Sequence, residues 1–134
     1  MLDTQTSLWI KKCEELRLHP YLDTTGHVTI GWGRNIDNGI RLDEAELMFQ
    51  NDLKQAIDEL ETCTWYMIQP DNVKNALINM NFNLGITKLL HFNKMIKALI
   101  SKDYTTAALE ALDSVWANQV GQRAKDIALM IRQG

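Results

Sequence analysis

The sequence contains few of the residues that mark linkers, disulfide scaffolds or membrane spans. Its 134 residues include only two prolines and seven glycines, which leaves little room for flexible or disordered segments. Two cysteines do not make a disulfide scaffold, so we expect Cys13 and Cys63 to be buried free thiols, with a disulfide as the unsupported alternative. No apolar run approaches the roughly 20 residues of a membrane-spanning helix, so no stable membrane insertion is expected.

Positive charge is also scarce. Basic side chains number 14 against 17 acidic ones, the net charge is −3, and no run of Lys or Arg occurs. Long-range attraction to nucleic acid or to anionic lipid is therefore not indicated. His19, His27 and His91 are dispersed without an i,i+4 pair, so neither a metal nor any other cofactor is expected.

The first 15 residues are polar and lack the apolar core of a signal peptide. We therefore expect the protein to be made in the cytosol and to stay there until another event releases it. The hydrophobic fraction of 46% and the charged fraction of 23% are ordinary for a soluble globular protein.

Hydrophobic periodicity predicts one small sheet among several helices. Residues 6–14 favour a short helix with Trp9, Ile10 and Cys13 on one face and Thr4 or Thr6 as N-cap. Apolar and small or polar residues alternate from Val28 to Trp32, as in a strand. The further predicted helices begin at Asp43, with Glu46 completing a capping box, and at Pro70-Asp71, where the central core helix runs to Gly85, and then cover about 93–101, 104–113 and 122–132.

This order of elements predicts an α+β fold, mostly α, in a single domain over residues 1–134. A small sheet-containing lobe covers about 15–42 and a larger helical lobe about 43–134. The helix that begins at Asp43 is long enough to join them, and we expect helix 6–14 to pack on the helical lobe. A cleft between two such lobes is a natural binding place.

Two kinds of carboxylate lie close together near the N-terminus. Glu14 or Glu15 ends a helical pattern, where the negative end of the helix dipole favours a protonated acid. Asp23 precedes a Thr-Thr-Gly turn, where it stays solvated and ionised. Glycoside hydrolysis commonly uses one protonated and one ionised carboxyl group. A surface charge and a turn former are the alternative interpretation of the same two residues.

The segment from Glu14 to Gly33 resembles the active-site segment of phage-type lysozymes, the family of the T-even phage lysozyme and its endolysins. The shared pattern is Glu14-x-Leu16-Arg17-Leu18-x-x-Tyr21-x-Asp23-Thr24-x-Gly26-x-x-Thr29-Ile30-Gly31-x-Gly33. Further matching motifs follow in the same order across nearly the whole chain, at Asp43-Glu44-Ala45, Ala76 to Phe82, Gly85, Phe92, Trp116, Gln119 and Arg123-Ala124.

The resemblance implies a lysozyme-like fold and cleavage of the β-1,4 bond between N-acetylmuramic acid and N-acetylglucosamine in bacterial peptidoglycan. It selects Glu14 as the general acid and implies that Asp23 and Thr29 hold or activate the attacking water, with inversion at the anomeric carbon. It also implies a monomeric endolysin that depends on a holin to cross from the host cytoplasm to the periplasm and wall. A tail-associated or secretion-associated wall-degrading domain and a non-catalytic peptidoglycan-binding module are the alternatives.

The resemblance carries three further residues with less complete matches. Arg123 matches an arginine near the catalytic Glu, and Phe82 matches a residue of the substrate cleft, although a core aromatic is an equal alternative. Asn35 stands at the position of a cleft leucine, so its substrate contact departs from the family. Glu15 departs too, because relatives usually carry glycine there. The short segment between Arg34 and Asp43 predicts a small first lobe.

Overall fold

The computed structural model describes residues 4–134. The chain divides into two units, with the boundary between Glu46 and Leu47. The first unit contains α1 (Thr4–Glu14), β1 (Arg17–Leu22), β2 (Val28–Gly31) and β3 (Arg34–Asn35). Helix α2 (Leu42–Glu61) begins in the first unit and continues into the second. The second unit also holds α3 (Thr64–Met67), α4 (Asp71–Leu84), α5 (Ile86–Leu89), α6 (Asn93–Ile100), α7 (Tyr104–Leu112), α8 (Val115–Val120) and α9 (Gln122–Arg132). Over residues 4–134, no helix is both long and apolar enough to cross a membrane.

The strands form one antiparallel sheet in the order β1-β2-β3. Together with the many helices, this confirms the predicted α+β, mostly-α fold class. Strand β1 was not predicted, because Pro20 lies inside it. An edge strand tolerates proline, since its outer N–H groups need no partner. The pairing of β1 with β2 is irregular between Arg17 and Tyr21, the stretch that contains Pro20.

Strand β2 buries a polar residue rather than its apolar ones. The predicted strand ends at Gly31, one residue earlier than expected. Thr29 is only 3% exposed, whereas Val28 and Ile30 are half-buried and Trp32 is exposed. The alternation of Val28, Ile30 and Trp32 therefore predicted the strand correctly but not which of its faces is buried.

Helix α1 begins two residues before its predicted start. Thr6 lies inside the helix, so the prediction of Thr6 as N-cap was wrong. The prediction that Cys13 is buried was also wrong, because Cys13 is exposed while Cys63 is half-buried; both thiols are free. The reason lies in the spacing, since Lys11 and Glu14 contact the turn after β2 and Cys13 points about 100° away from Glu14. The packing of this helix on the helical lobe stays a prediction.

Helix α2 begins one residue earlier than predicted and uses a different cap. The backbone N–H of Arg41 donates to Oε1 of Glu44 at 3.0 Å, so Glu44 satisfies a free donor at the start of the helix. Asp43 lies within the first turn and accepts from Nε of Arg41 at 3.2 Å. The predicted box of Asp43 and Glu46 was therefore wrong. A second partner of Glu44, Arg34 on β3, fixes it instead, with a distance of 2.6 Å between the charged atoms.

The hydrophobic core of the second unit surrounds α4, as the sequence predicts for a central core helix. This helix starts after Pro70 and ends at Gly85, where φ is +84°. The fully buried apolar side chains of α4 are Val73, Ala76, Leu77 and Met80. Helix α9 packs against α4, α7 packs against α9, and α6 packs against α7. All three match the predicted ranges to within one residue. Three short helices, α3, α5 and α8, were not predicted, because four to six residues show no clear periodicity.

Candidate active site

Glu14 is the last residue of α1, and its carboxylate lies against the turn between β2 and β3. A Cβ at Gly33 would overlap Oε2 of Glu14 and would lie only 3.0 Å from its Cδ. Gly33 also has a φ of +72°, so both the backbone conformation and the close approach require glycine. One turn earlier on α1, Nζ of Lys11 lies 4.4 Å from the centre of the Trp32 ring. The segment from Gly31 to Gly33 thus fixes the end of the helix that carries Glu14.

Glu15 turns the chain from α1 into β1. Its φ is +57°, in the left-handed region, and its N–H donates to the carbonyl of Lys11 at 3.0 Å. A residue with this conformation commonly ends a helix, and it is usually glycine. The geometry therefore favours glycine at this position, in agreement with the resemblance described above, and glutamate is strained here.

Asp23 lies in the turn between β1 and β2, and one of its oxygens is held by three donors. Oδ1 accepts from the N–H of Thr25 at 2.9 Å, from the hydroxyl of Thr25 at 2.8 Å and from the N–H of His27 at 2.9 Å. The His27 N–H, followed by the Thr25 hydroxyl, lowers the pKa of Asp23 below its ordinary value. Among residues 4–46, no donor binds Oδ2, so Asp23 is an ionised carboxylate with one oxygen oriented and the other available.

Thr29 is the buried residue of β2, and its hydroxyl has a defined direction. Oγ1 donates its proton to the carbonyl of His27 at 2.9 Å. A hydroxyl that has donated its only proton can still accept through its lone pairs. Any water bound at Oγ1 must therefore donate a proton to Thr29, and this fixes how that water is oriented.

Asp23 and Thr29 are brought together through the backbone of one residue, His27. The N–H of His27 orients the Asp23 carboxylate, and its carbonyl accepts both the Thr29 hydroxyl and the N–H of Asp23, each at 2.9 Å. Both side chains therefore keep their direction only while the backbone of His27, on both sides of its Cα, stays in place. Sequence inspection missed His27, Thr25 and Gly33 as contributors, and only the Gly-x-Gly pattern and the Asp-x-Thr turn signal hinted at two of them.

Asn35 lies on β3 opposite Thr29 in the sheet register. Its Oδ1 accepts from the N–H of Asp37 at 2.9 Å, so its carbonyl oxygen is occupied by the loop that follows the strand. Its role in substrate binding stays a prediction, which now rests on the amide NH₂ group.

The other two predicted residues belong to the helical unit. Phe82 is 37% exposed, which argues against a core aromatic, and its ring centre lies 5.5 Å from that of Phe49. Arg123 donates from Nε to Oδ1 of Asn79 at 2.9 Å. Both residues line a pocket of about 270 Å³ together with Phe49, Leu53, Asn75, Ile78 and Asn79. The roles of Phe82 in sugar binding and of Arg123 beside Glu14 stay predictions.

Comparison with known proteins gives consistent relatives. The chain is 29% identical to the probable T4-type lysozyme 1 of Dictyostelium discoideum, over 93% of this chain and 92% of that protein. It is 30% identical to the endolysin of Acyrthosiphon pisum secondary endosymbiont phage 1, over 85% of this chain and 80% of that protein. It is also 26% identical to the pre-baseplate central spike protein Gp5 of Enterobacteria phage T4, over 93% of this chain but only 27% of that protein.

These findings define the class of protein as a lysozyme, a hydrolase that acts on bacterial peptidoglycan. The family model for phage lysozyme matches residues 11–133, so the chain belongs to the phage lysozyme family. The matched range includes the segment from Glu14 to Gly33, on which the predicted catalytic residues lie.

Proposed function

We propose that this lysozyme is an endolysin that cleaves the β-1,4 bond between N-acetylmuramic acid and N-acetylglucosamine with inversion. Glu14 donates a proton to the leaving glycosidic oxygen. Asp23 and Thr29 hold a water on the opposite face of the sugar. As the water oxygen bonds to the anomeric carbon, Asp23 accepts a proton from that water.

The observation that carries this mechanism is that Asp23 and Thr29 both bind the backbone of one residue, His27. Because Thr29 donates to the His27 carbonyl and Oδ1 of Asp23 is occupied, a water between them donates one proton to Thr29 and one to Oδ2 of Asp23. Its lone pair is then directed away from both groups and toward the substrate. The lowered pKa of Asp23 keeps this base ionised, as the mechanism requires.

The proposal extends to the biological role. The endolysin among the relatives supports a function in lysis of the host cell, and we expect the enzyme to wait in the host cytoplasm as a monomer until a holin opens the inner membrane. The similarity to a central spike protein supports a second candidate, a wall-degrading part of a phage tail. Mass spectrometry of purified particles separates the two, because a tail component copurifies with virions and an endolysin does not.

Two measurements test the chemistry. Glu14→Gln should lower the lysis of permeabilised Gram-negative cells by roughly 10²–10⁴-fold, because it removes the donated proton and keeps the shape. Glu15→Gln is the matched control and should lyse cells at nearly the wild-type rate. Proton NMR of the first product should show the α-anomer. A β-anomer would refute inversion, and an active Glu14→Gln beside an inactive Glu15→Gln would show that the acid is Glu15. Full activity in both variants would show that neither glutamate is the acid, whereas a wild type that lyses no cells would favour the non-catalytic binding module.

A further inference from the structure

The direction of Asp23 and Thr29 depends on the backbone of His27 in an exposed turn, so the structure must restrain that turn. His27 is exposed, and the turn from Asp23 to His27 contains no buried residue. Exposed turns of this kind move readily unless other contacts hold them. The contacts that hold His27 are therefore part of how the water site keeps its shape.

Asp37, in the loop after β3, binds two successive residues of this segment. Its Oδ2 lies 2.9 Å from Nδ1 of the His27 imidazole, and its Oδ1 accepts from the N–H of Val28 at 3.2 Å. One carboxylate thus fixes both the side chain of His27 and the peptide that follows it. The carbonyl in that peptide is the one that accepts the Thr29 hydroxyl.

The loop that carries Asp37 is itself anchored to the sheet. The N–H of Asp37 donates to Oδ1 of Asn35 at 2.9 Å, and the N–H of Ile36 donates to the carbonyl of Val28 at 2.9 Å. Asp37 therefore lies in an anchored loop, and its contacts with His27 restrain the turn. The side chains of the pair are 50% and 38% exposed.

We propose that His27 and Asp37 are positioning residues for hydrolysis, which hold the backbone of His27 so that Asp23 and Thr29 orient the attacking water. This inference rests on the proposed function of those two side chains. Exposed charged pairs usually contribute little to stability. If the contact between His27 and Asp37 served stability alone, removing it would therefore leave turnover unchanged. A positioning role lowers turnover, because a displacement of about 1 Å at reacting groups costs on the order of 10²-fold.

The test measures kcat and KM on soluble peptidoglycan oligomers for Asp37→Ala, Asp37→Asn and His27→Ala. Asp37→Ala should lower kcat by roughly 10- to 100-fold and change KM less than twofold, since the pair does not touch the reacting atoms. Asp37→Asn should recover most of this loss, because its amide oxygen still accepts from the N–H of Val28 and its NH₂ group can donate to Nδ1 of the imidazole in the tautomer that carries its proton on Nε2. His27→Ala should lower kcat less than Asp37→Ala, and the double alanine variant should be no worse than Asp37→Ala alone.

A matched control removes another exposed ion pair. Lys54 and Asp58 lie one turn apart on α2 with 2.6 Å between the charged atoms, and Asp58→Ala should leave kcat unchanged. A kcat for Asp37→Ala within twofold of wild type would overturn the inference, as would a loss that appears wholly in KM. Should Asp37→Ala fail to fold, a wild-type kcat for His27→Ala would overturn it equally. Asp23→Asn and Thr29→Val test the proposed function separately from the positioning role. Full activity in these variants would refute the proposed function itself.

Discussion

The strained residue beside the proposed acid gives a prediction about stability. Glu15 has a φ of +57° at the end of α1, and this conformation costs roughly 1–2 kcal/mol for a residue with a side chain. Its carboxylate also lies at the negative end of the helix, which is unfavourable by about 0.3–1 kcal/mol. Glu15→Gly removes both terms and loses about 0.4–1 kcal/mol through the greater freedom of the unfolded chain. The net expectation is a stabilisation of about 1.5 kcal/mol.

For a chain of 134 residues, this stabilisation corresponds to a rise of about 5 °C in melting temperature. Hydrogen exchange at the amides of β1 gives a local measurement, because the strand follows Glu15 directly and its protection should rise with the variant. Glu15→Gln isolates the charge, since it keeps the side chain and the strain. It should gain only the dipole contribution of about 0.3–1 kcal/mol.

The chain contains a matched control for the sign of the charge. Lys102 has the same φ of +57° just after α6, and its N–H donates to the carbonyl of Leu99 at 3.1 Å. Lys102→Gly relieves the same strain but removes a cation that the helix C-terminus favours, so its net effect should be close to zero. If Glu15→Gly stabilises the protein no more than Lys102→Gly does, the charge contribution is refuted. If Glu15→Gly destabilises the protein, the strain argument fails as well.

Two further predictions concern the pair on β3 and α2 and the buried hydroxyl. Arg34 lowers the pKa of Glu44 from 4.5 to about 2, so this pair stabilises the fold above pH 4.5 and the contribution is lost as the pH falls toward 2; melting curves of wild type and Glu44→Gln should converge over that window, and a gap unchanged at pH 2 would contradict this. Thr29→Val should lower lysis by roughly 10- to 100-fold at nearly equal volume, whereas Thr29→Ser should keep most of it; an active Thr29→Val would assign Thr29 to sheet structure alone.

The helical unit could be predicted from sequence because its signals are local. Pro70 and Gly85 lie at the two ends of α4, and its buried side chains recur at helical spacing. The first unit was harder, because its elements depend on contacts with other strands, turns and helices. Glu44 rather than Glu46 caps α2 since Arg34, on another strand, holds it. No local pattern contains that information.

The candidate site also has one part that the sequence predicted and one part that it could not show. Family resemblance pointed to Glu14, Asp23 and Thr29 by residue type and order. Neither the resemblance nor the spacing could show that the His27 backbone orients two of these side chains. That arrangement arises from a turn, a strand and a later loop that meet only in the folded chain. Backbone groups carry no residue identity, so their contribution to a site is invisible in a motif.

The first unit has almost no apolar interior, so the same residues must serve both its fold and its chemistry. Among residues 4–46, Thr29 is the only buried residue. A three-stranded sheet with so little buried apolar surface gains little from the hydrophobic effect, so hydrogen bonds around Asp23, His27 and Asp37 hold its turns. The groups that orient the water are then also the groups that hold these turns. Substitutions at these positions should therefore disturb the turns and slow the reaction, while the stability of the fold as a whole changes little.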